Sequence, residues 1–295
     1  MQNRRTMIKT MAASAGAIGA AAILPGFSKN LPKEEKENFS LKGNINHSVS
    51  RWTFNYLSLD ELCTAVKEIG FSAIDLVGPK DWPTLQKHGI YSSMCYTAGD
   101  NNLYKGLNNP AYHEKLVKEY LETIPVMAKA GYKNLICFSG AANGLDDETG
   151  MKNCQAALEK ILPLAEKNNV IMVMELLNSK IDHKDYQCNR VEWGAELCKR
   201  IGSENFKLLF DIYHMQIQEG DIIRNITDYH QYIAHYHTGG VPGRHEINDT
   251  QELFYPAVMR GIVATGFKGY VAQEFVPTYP DKLDSLKEAI RICDV

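Results

Sequence analysis

A chain of 295 residues with 44% hydrophobic and 23% charged side chains has the composition of an ordinary globular protein with a sizeable core, which excludes a disordered chain. The formal charge is −3, and because the first 28 residues contain Arg4, Arg5 and Lys9 but no acid, the remainder stands at −6, a balance that argues against a nucleic-acid surface. The cysteines, at 63, 95, 137, 154, 188, 198 and 293, form no C-x-x-C pair and are odd in number, so neither a zinc ribbon nor a disulfide framework is expected, and all seven read as structural.

In chain order, Asn3-Arg4-Arg5-Thr6-Met7-Ile8-Lys9 and the Ala- and Gly-rich apolar run 11–24 come first. Residues 1–28 resemble a twin-arginine export signal, and the run is too short and too weakly apolar for a permanent membrane span. This implies the twin-arginine export machinery as a partner, export in the folded state and a periplasmic location. No clear A-x-A cleavage site stands immediately before Pro25, where Ile23-Leu24 lie, so a retained signal would tether the protein to the inner membrane. Residues 29–40 read as a polar linker.

From residue 41 to 295 short apolar runs alternate with longer helix-patterned stretches. Strands are predicted at 45–54, 73–77, 91–96, 134–139, 170–178, 207–214, 233–238 and 270–276. Ser58 with Glu61 three residues on opens the first helix and Gly70 closes it, while Gly131, Gly202 and Gly266 end later ones. Eight strand–helix alternations predict one α/β domain, a closed (β/α)8 barrel. The rival, a doubly wound open sheet, would place a Gly-rich loop after its first strand, where Asn55-Tyr56-Leu57-Ser58 stands instead.

In such a barrel the chemistry sits at the C-terminal strand ends. The last four predicted strands carry Glu175, Asp211, His237 and Glu274 there. Any one of these residues is more often a cap or an ion-pair partner than a ligand. Three carboxylates and an imidazole at equivalent positions would repel at one mouth unless a divalent cation joined them, and an O3N donor set suits Mn²⁺, Mg²⁺ or Co²⁺ better than a closed structural zinc site.

The segments Met174-Glu175-Leu176-Leu177-Asn178, Phe210-Asp211-Ile212-Tyr213-His214-Met215-Gln216, His235-Tyr236-His237, Arg244-His245-Glu246 and Tyr270-Val271-Ala272-Gln273-Glu274 resemble the xylose isomerase-like TIM-barrel superfamily, closest to its hydroxypyruvate isomerase family, over roughly residues 45–280. The resemblance implies a divalent metal, Mn²⁺ first and Mg²⁺, Co²⁺ or Zn²⁺ next, on Glu175, Asp211, His237 and Glu274. It implies Glu175 and Glu274 as the acid/base pair of a sugar or keto-acid isomerase or epimerase working through an enediolate, and often a homo-oligomer. His214 and Arg244 are expected to bind substrate, and Arg51 and Trp52 to wall the sugar. His235 reads as a buried structural histidine. Members named hydroxypyruvate isomerase often carry Gln where His237 stands and ketose 3-epimerases carry His, which leaves the substrate open. A keto-sugar (3-keto-glycoside) epimerase or lyase is the nearest alternative and a non-catalytic sugar-binding barrel the next. A phosphodiesterase for abasic DNA would need more histidines and a basic groove.

Overall fold

In the computed structural model, which describes residues 40–295, the eight strands pair in chain order, each parallel to the next, and the last closes on the first. The expected signal 1–28 and linker residues 29–39 lie outside the described residues. The barrel unit runs Leu41–Val295.

Its elements are β1 Asn46–Ser50, α1 Leu59–Ile69, β2 Ala73–Val77, α2 Trp82–His88, β3 Tyr91–Cys95, α3 His113–Lys129, β4 Asn134–Cys137, α4 Asp147–Lys167, β5 Ile171–Glu175, α5 Val191–Ile201, β6 Phe206–Asp211, α6 Ile212–Gln218, α7 Ile222–Tyr229, β7 Ile233–Thr238, α8 Tyr255–Ala264, β8 Tyr270–Gln273 and α9 Lys282–Cys293. Local chemistry sets the helix ends. The Ser58 hydroxyl accepts from the Glu61 amide at 3.3 Å, the Glu61 carboxylate accepts from the Ser58 amide at 2.8 Å, and Gly70 takes φ +115°. The Asp146 carboxylate caps α4 by accepting from the Thr149 amide at 2.7 Å.

Six of the eight strands end earlier than the sequence pattern suggested, and two of them show the cause locally. The run expected as strand 207–214 stops at Asp211 because the Asp211 carboxylate accepts from the His214 amide at 3.0 Å and caps α6, so His214 sits on a helix. The first strand gives way at Arg51 to a 3-10 turn, Arg51–Phe54.

Most buried apolar side chains fill the layer between barrel and helices. Met94, Ile136, Val173 and Leu209 form a separate cluster. Since strand faces alternate, Val173 and Leu209 lie two residues below Glu175 and Asp211 on the same face, and the cluster is the apolar floor under the strand ends. All seven cysteines are buried and free. Among the described residues no helix is long and apolar enough to cross a membrane.

Candidate active site

The parallel registers bring the acids together. Asp211 on β6 pairs with His237 on β7, and His237 pairs with Ala272 on β8, two residues before Glu274. Glu175 ends β5 beside Leu209. One donor atom from each of Glu175, Asp211, His237 and Glu274 lies within 4.8 Å of the others, and all four residues are buried. His237 Nδ1 stands 2.6 Å from Glu274 Oε2, 3.4 Å from Glu175 Oε1 and 3.9 Å from Asp211 Oδ2, yet has no partner in hydrogen-bond geometry. An orphaned, buried imidazole nitrogen facing three carboxylates is the donor arrangement that a hard or borderline divalent cation fits.

The cluster carries its own cation. Arg244 Nη2 donates to Glu274 Oε2 at 2.6 Å and to Asp211 Oδ2 at 3.1 Å, and its guanidinium lies over the rings of Trp52 and Tyr213, at 5.5 and 5.2 Å. Arg244 holds φ +59° in a loop that also contains the cis Val241–Pro242 bond. Trp52 Nε1 donates to Glu274 Oε1 at 2.6 Å, and the Ser50 hydroxyl donates to the same oxygen at 3.3 Å.

These neighbours push the carboxylates apart. Burial raises Glu175 above the usual carboxylate range, and burial likewise raises Asp211, to about 7, against the pull of Arg244. Burial acts the same way on Glu274 but is outweighed by His237 and Arg244, which hold it well below its ordinary value. Burial would lower His237, but the Glu274 and Asp75 carboxylates outweigh it and hold the imidazole well above its ordinary value. One glutamate is therefore biased toward the acid form and the other toward the base form, the pattern of an acid/base pair.

His214 is fixed from behind. The Asn178 carbonyl oxygen accepts from the Ile181 and Asp182 amides, both at 3.0 Å, which sets the orientation of its side-chain amide. Its NH2 then donates to Asp182 Oδ2 at 2.7 Å and to His214 Nδ1 at 2.6 Å. With Nδ1 accepting, the proton sits on Nε2, which is buried, unpartnered and 3.8 Å from Asp211 Oδ2.

Arg51, expected at the wall of the site, uses its guanidinium to hold the Phe54 and Leu57 carbonyls, each at 2.9 Å, and so braces the turn that carries Trp52. His235 is buried in the barrel with Nε2 2.6 Å from Asp75 Oδ2. Asp75 itself was not singled out from the sequence. The signal was an acid in the middle of the apolar strand Ala73-Ile74-Asp75-Leu76-Val77, where inspection of strand ends alone passes it by.

A closed parallel barrel with a buried carboxylate–imidazole cluster at its C-terminal mouth defines a class of barrel enzymes that carry acid–base chemistry there. Residues 63–294 match the model of the xylose isomerase-like TIM barrels, and the chain belongs to that family. It is 35% identical over 113 residues to the 2-oxo-tetronate isomerase of Cupriavidus necator, a match spanning 38% of this chain and 43% of that protein. To the hydroxypyruvate isomerase of Escherichia coli it is 27% identical over 227 residues, spanning 71% and 84%. The AP endonuclease, family 2, from Brucella melitensis superposes with TM-score 0.73 at 20% identity, covering 82% of this chain and 97% of that one. The 3-keto-D-glucoside 4-epimerase of Escherichia coli does so with TM-score 0.70 at 17% identity, covering 84% and 100%. These two likenesses show the fold alone. Family and curated relatives mark the chain as an enzyme of the isomerase class.

Proposed function

We propose that this protein is a divalent-metal-dependent isomerase or epimerase of a sugar or keto acid, moving a proton at a carbon next to a carbonyl through an enediolate. The observation that carries this reading is the mouth cluster itself, in which three buried carboxylates, Glu175, Asp211 and Glu274, converge on His237 Nδ1. A divalent cation on Glu175, Asp211, His237 and Glu274 would neutralise their charge and polarise the substrate carbonyl, acidifying the adjacent C–H. The O3N donor set fits Mn²⁺ first, with Mg²⁺, Co²⁺ and Zn²⁺ next.

The chain's own groups do the rest. Glu274, held by Arg244 and aimed by Trp52, takes the proton from carbon, and Glu175 returns one. Return to the neighbouring carbon isomerises; return to the other face of the same carbon epimerises. His214 Nε2–H, with no protein acceptor, donates to a substrate oxygen, and Arg244 offsets the developing negative charge.

The test is deuterium uptake by NMR in deuterated water, with Mn²⁺-loaded protein and hydroxypyruvate, ketoses and 3-keto-glucosides as candidates and Glu274→Gln as control. Exchange with one candidate, abolished in the control, is expected and identifies the substrate. A protein that binds the cation yet exchanges no candidate would contradict the proposal. On the sequence of residues 1–28 alone we also place the mature protein in the periplasm. Retention in the cytoplasm of a chain with both Arg4 and Arg5 changed to Lys is the expected result.

A further inference from the structure

Beneath the mouth cluster lies a second polar tier that the proposed chemistry does not use. Asp75 is fully buried, with Oδ1 3.2 Å from His237 Nε2 and Oδ2 2.6 Å from His235 Nε2 and 3.4 Å from the Ser93 hydroxyl. Ser93 in turn shares a 2.6 Å hydrogen bond with Ser48. A carboxylate inside an apolar strand is costly unless its charge is compensated, and the two imidazoles are the groups that face it. The backbone is bent to put it there. The β2–β3 register shifts on both sides of Asp75, and the next residue, Leu76, is a branched side chain held at φ +55°. Irregular strand pairing of this kind re-aims a side chain beside a site, and a non-glycine residue in the left-handed region marks local strain that the surroundings sustain.

We infer that Asp75 is a positioning residue for the metal centre: by accepting the Nε2 proton of His237 it fixes the ring and its tautomer, so that Nδ1 presents a lone pair to the cation. This rests on the proposed metal-dependent reading and deepens it. His237 has two nitrogens, Nε2 is hydrogen-bonded downward to Asp75, and Nδ1 is left facing Glu175, Asp211 and Glu274 without a hydrogen bond. A carboxylate behind a ligating imidazole also raises the basicity of the ligating nitrogen. His235 shares the same carboxylate but lies outside the mouth cluster, so it serves as the contrast: it touches Asp75 without facing the cation.

The experiment uses the full chain stripped of metal and titrated with Co²⁺ alone, following the visible spectrum and the affinity, with circular dichroism and thermal melting of each metal-free variant. Asp75→Asn keeps the shape but offers one acceptor to two imidazoles. It is expected to weaken Co²⁺ binding by about 10- to 100-fold and to shift the Co²⁺ bands. His235→Gln is expected to leave affinity within about 3-fold. Unchanged affinity and spectrum in Asp75→Asn, with the wild type binding Co²⁺, would overturn the inference and leave the metal-dependent reading intact. A wild type that binds no divalent cation would overturn both. Two cations in the wild type falling to one in Asp75→Asn would also overturn it, since Asp75 would then be a ligand. The second measurement needs no variant: ring ¹⁵N shifts of His237 in the Zn²⁺-loaded wild type should show Nδ1 ligated and Nε2 protonated, and ligation through Nε2 would refute the assignment.

Discussion

Trp52 Nε1 donates to Glu274 Oε1 at 2.6 Å, tying the turn after the first strand to the residue after the last. Trp52 is 43% exposed, so the bond contributes more to the aim of Glu274 than to the core. Trp52→Phe keeps a ring near Arg244 and deletes the donor. Losing one hydrogen bond to a charged acceptor is worth about 1.5–3 kcal/mol, so kcat should fall by about 10- to 100-fold if the bond is needed to aim Glu274 in the transition state. Steady-state rates on the substrate found by deuterium exchange check this, and an unchanged kcat would show that the bond is incidental.

Arg244 pairs with both Glu274 and Asp211, the same carboxylates that the proposed cation would neutralise. Arg244→Ala leaves those buried carboxylates facing each other and should destabilise the metal-free protein by about 3–5 kcal/mol. On the proposed metal-dependent reading, added Mn²⁺ should recover part of that loss by binding the folded state, so the Tm gain from Mn²⁺ should be larger in the variant than in the wild type. Thermal melting with and without the ion decides it; equal gains would mean that Arg244 and the cation do not share the same carboxylates.

Asn178 sets which nitrogen of His214 carries the proton. Asn178→Asp can still accept from the Ile181 and Asp182 amides but no longer donates to Nδ1, so the proton moves to Nδ1 and the Nε2 donor is lost. We expect kcat to drop by about 10- to 100-fold with Mn²⁺ affinity little changed, because His214 is not in the ligand cluster. A parallel loss of Mn²⁺ affinity would show that the loop, and not the tautomer, had been disturbed.

His47, on β1, is buried with neither ring nitrogen bonded, and burial pushes its pKa down to about 4, with Asp294 opposing. Between that value and the ordinary 6.5 the unfolded chain binds more protons than the folded one. Stability is therefore fully present above pH 6.5 and is lost as pH falls toward 4, on the order of 2 kcal/mol by pH 5. Urea unfolding at pH 7 and pH 5 should show this loss in the wild type and about 2 kcal/mol less of it in His47→Leu. Identical pH dependence in the two proteins would rule out His47 as a source.

The barrel was legible because its strands are short apolar runs separated by capped helices; strands 73–77 and 233–238 coincide with Ala73–Val77 and Ile233–Thr238. Strand ends were less so. Ile212-Tyr213-His214 has strand-like side chains, but the Asp211 carboxylate caps a helix there, a contact that periodicity does not encode. Glu274 falls one residue past β8 for a similar reason: the last ladder residue and the functional residue need not be the same. The mouth acids announced themselves by ending apolar runs. Asp75, Ser50 and Asn178 did not, since their meaning lies in partners far away in sequence, His237, Glu274 and His214. Arg51 and Trp52 are neighbours with opposite fates, one bracing backbone carbonyls and the other touching Glu274, and no rule of sequence separates them.

The buried cysteines have a practical consequence. Burial lifts the Cys63 thiol to about 11 and those of Cys95, Cys198 and Cys293 to about 12, and raises Cys137, Cys154 and Cys188 as well, so the folded barrel presents almost no thiolate. None can react with an oxidant or an alkylating reagent until the wall around it opens. The rate at which a thiol reagent labels this protein is thus a clock for its opening, read at seven places around the barrel.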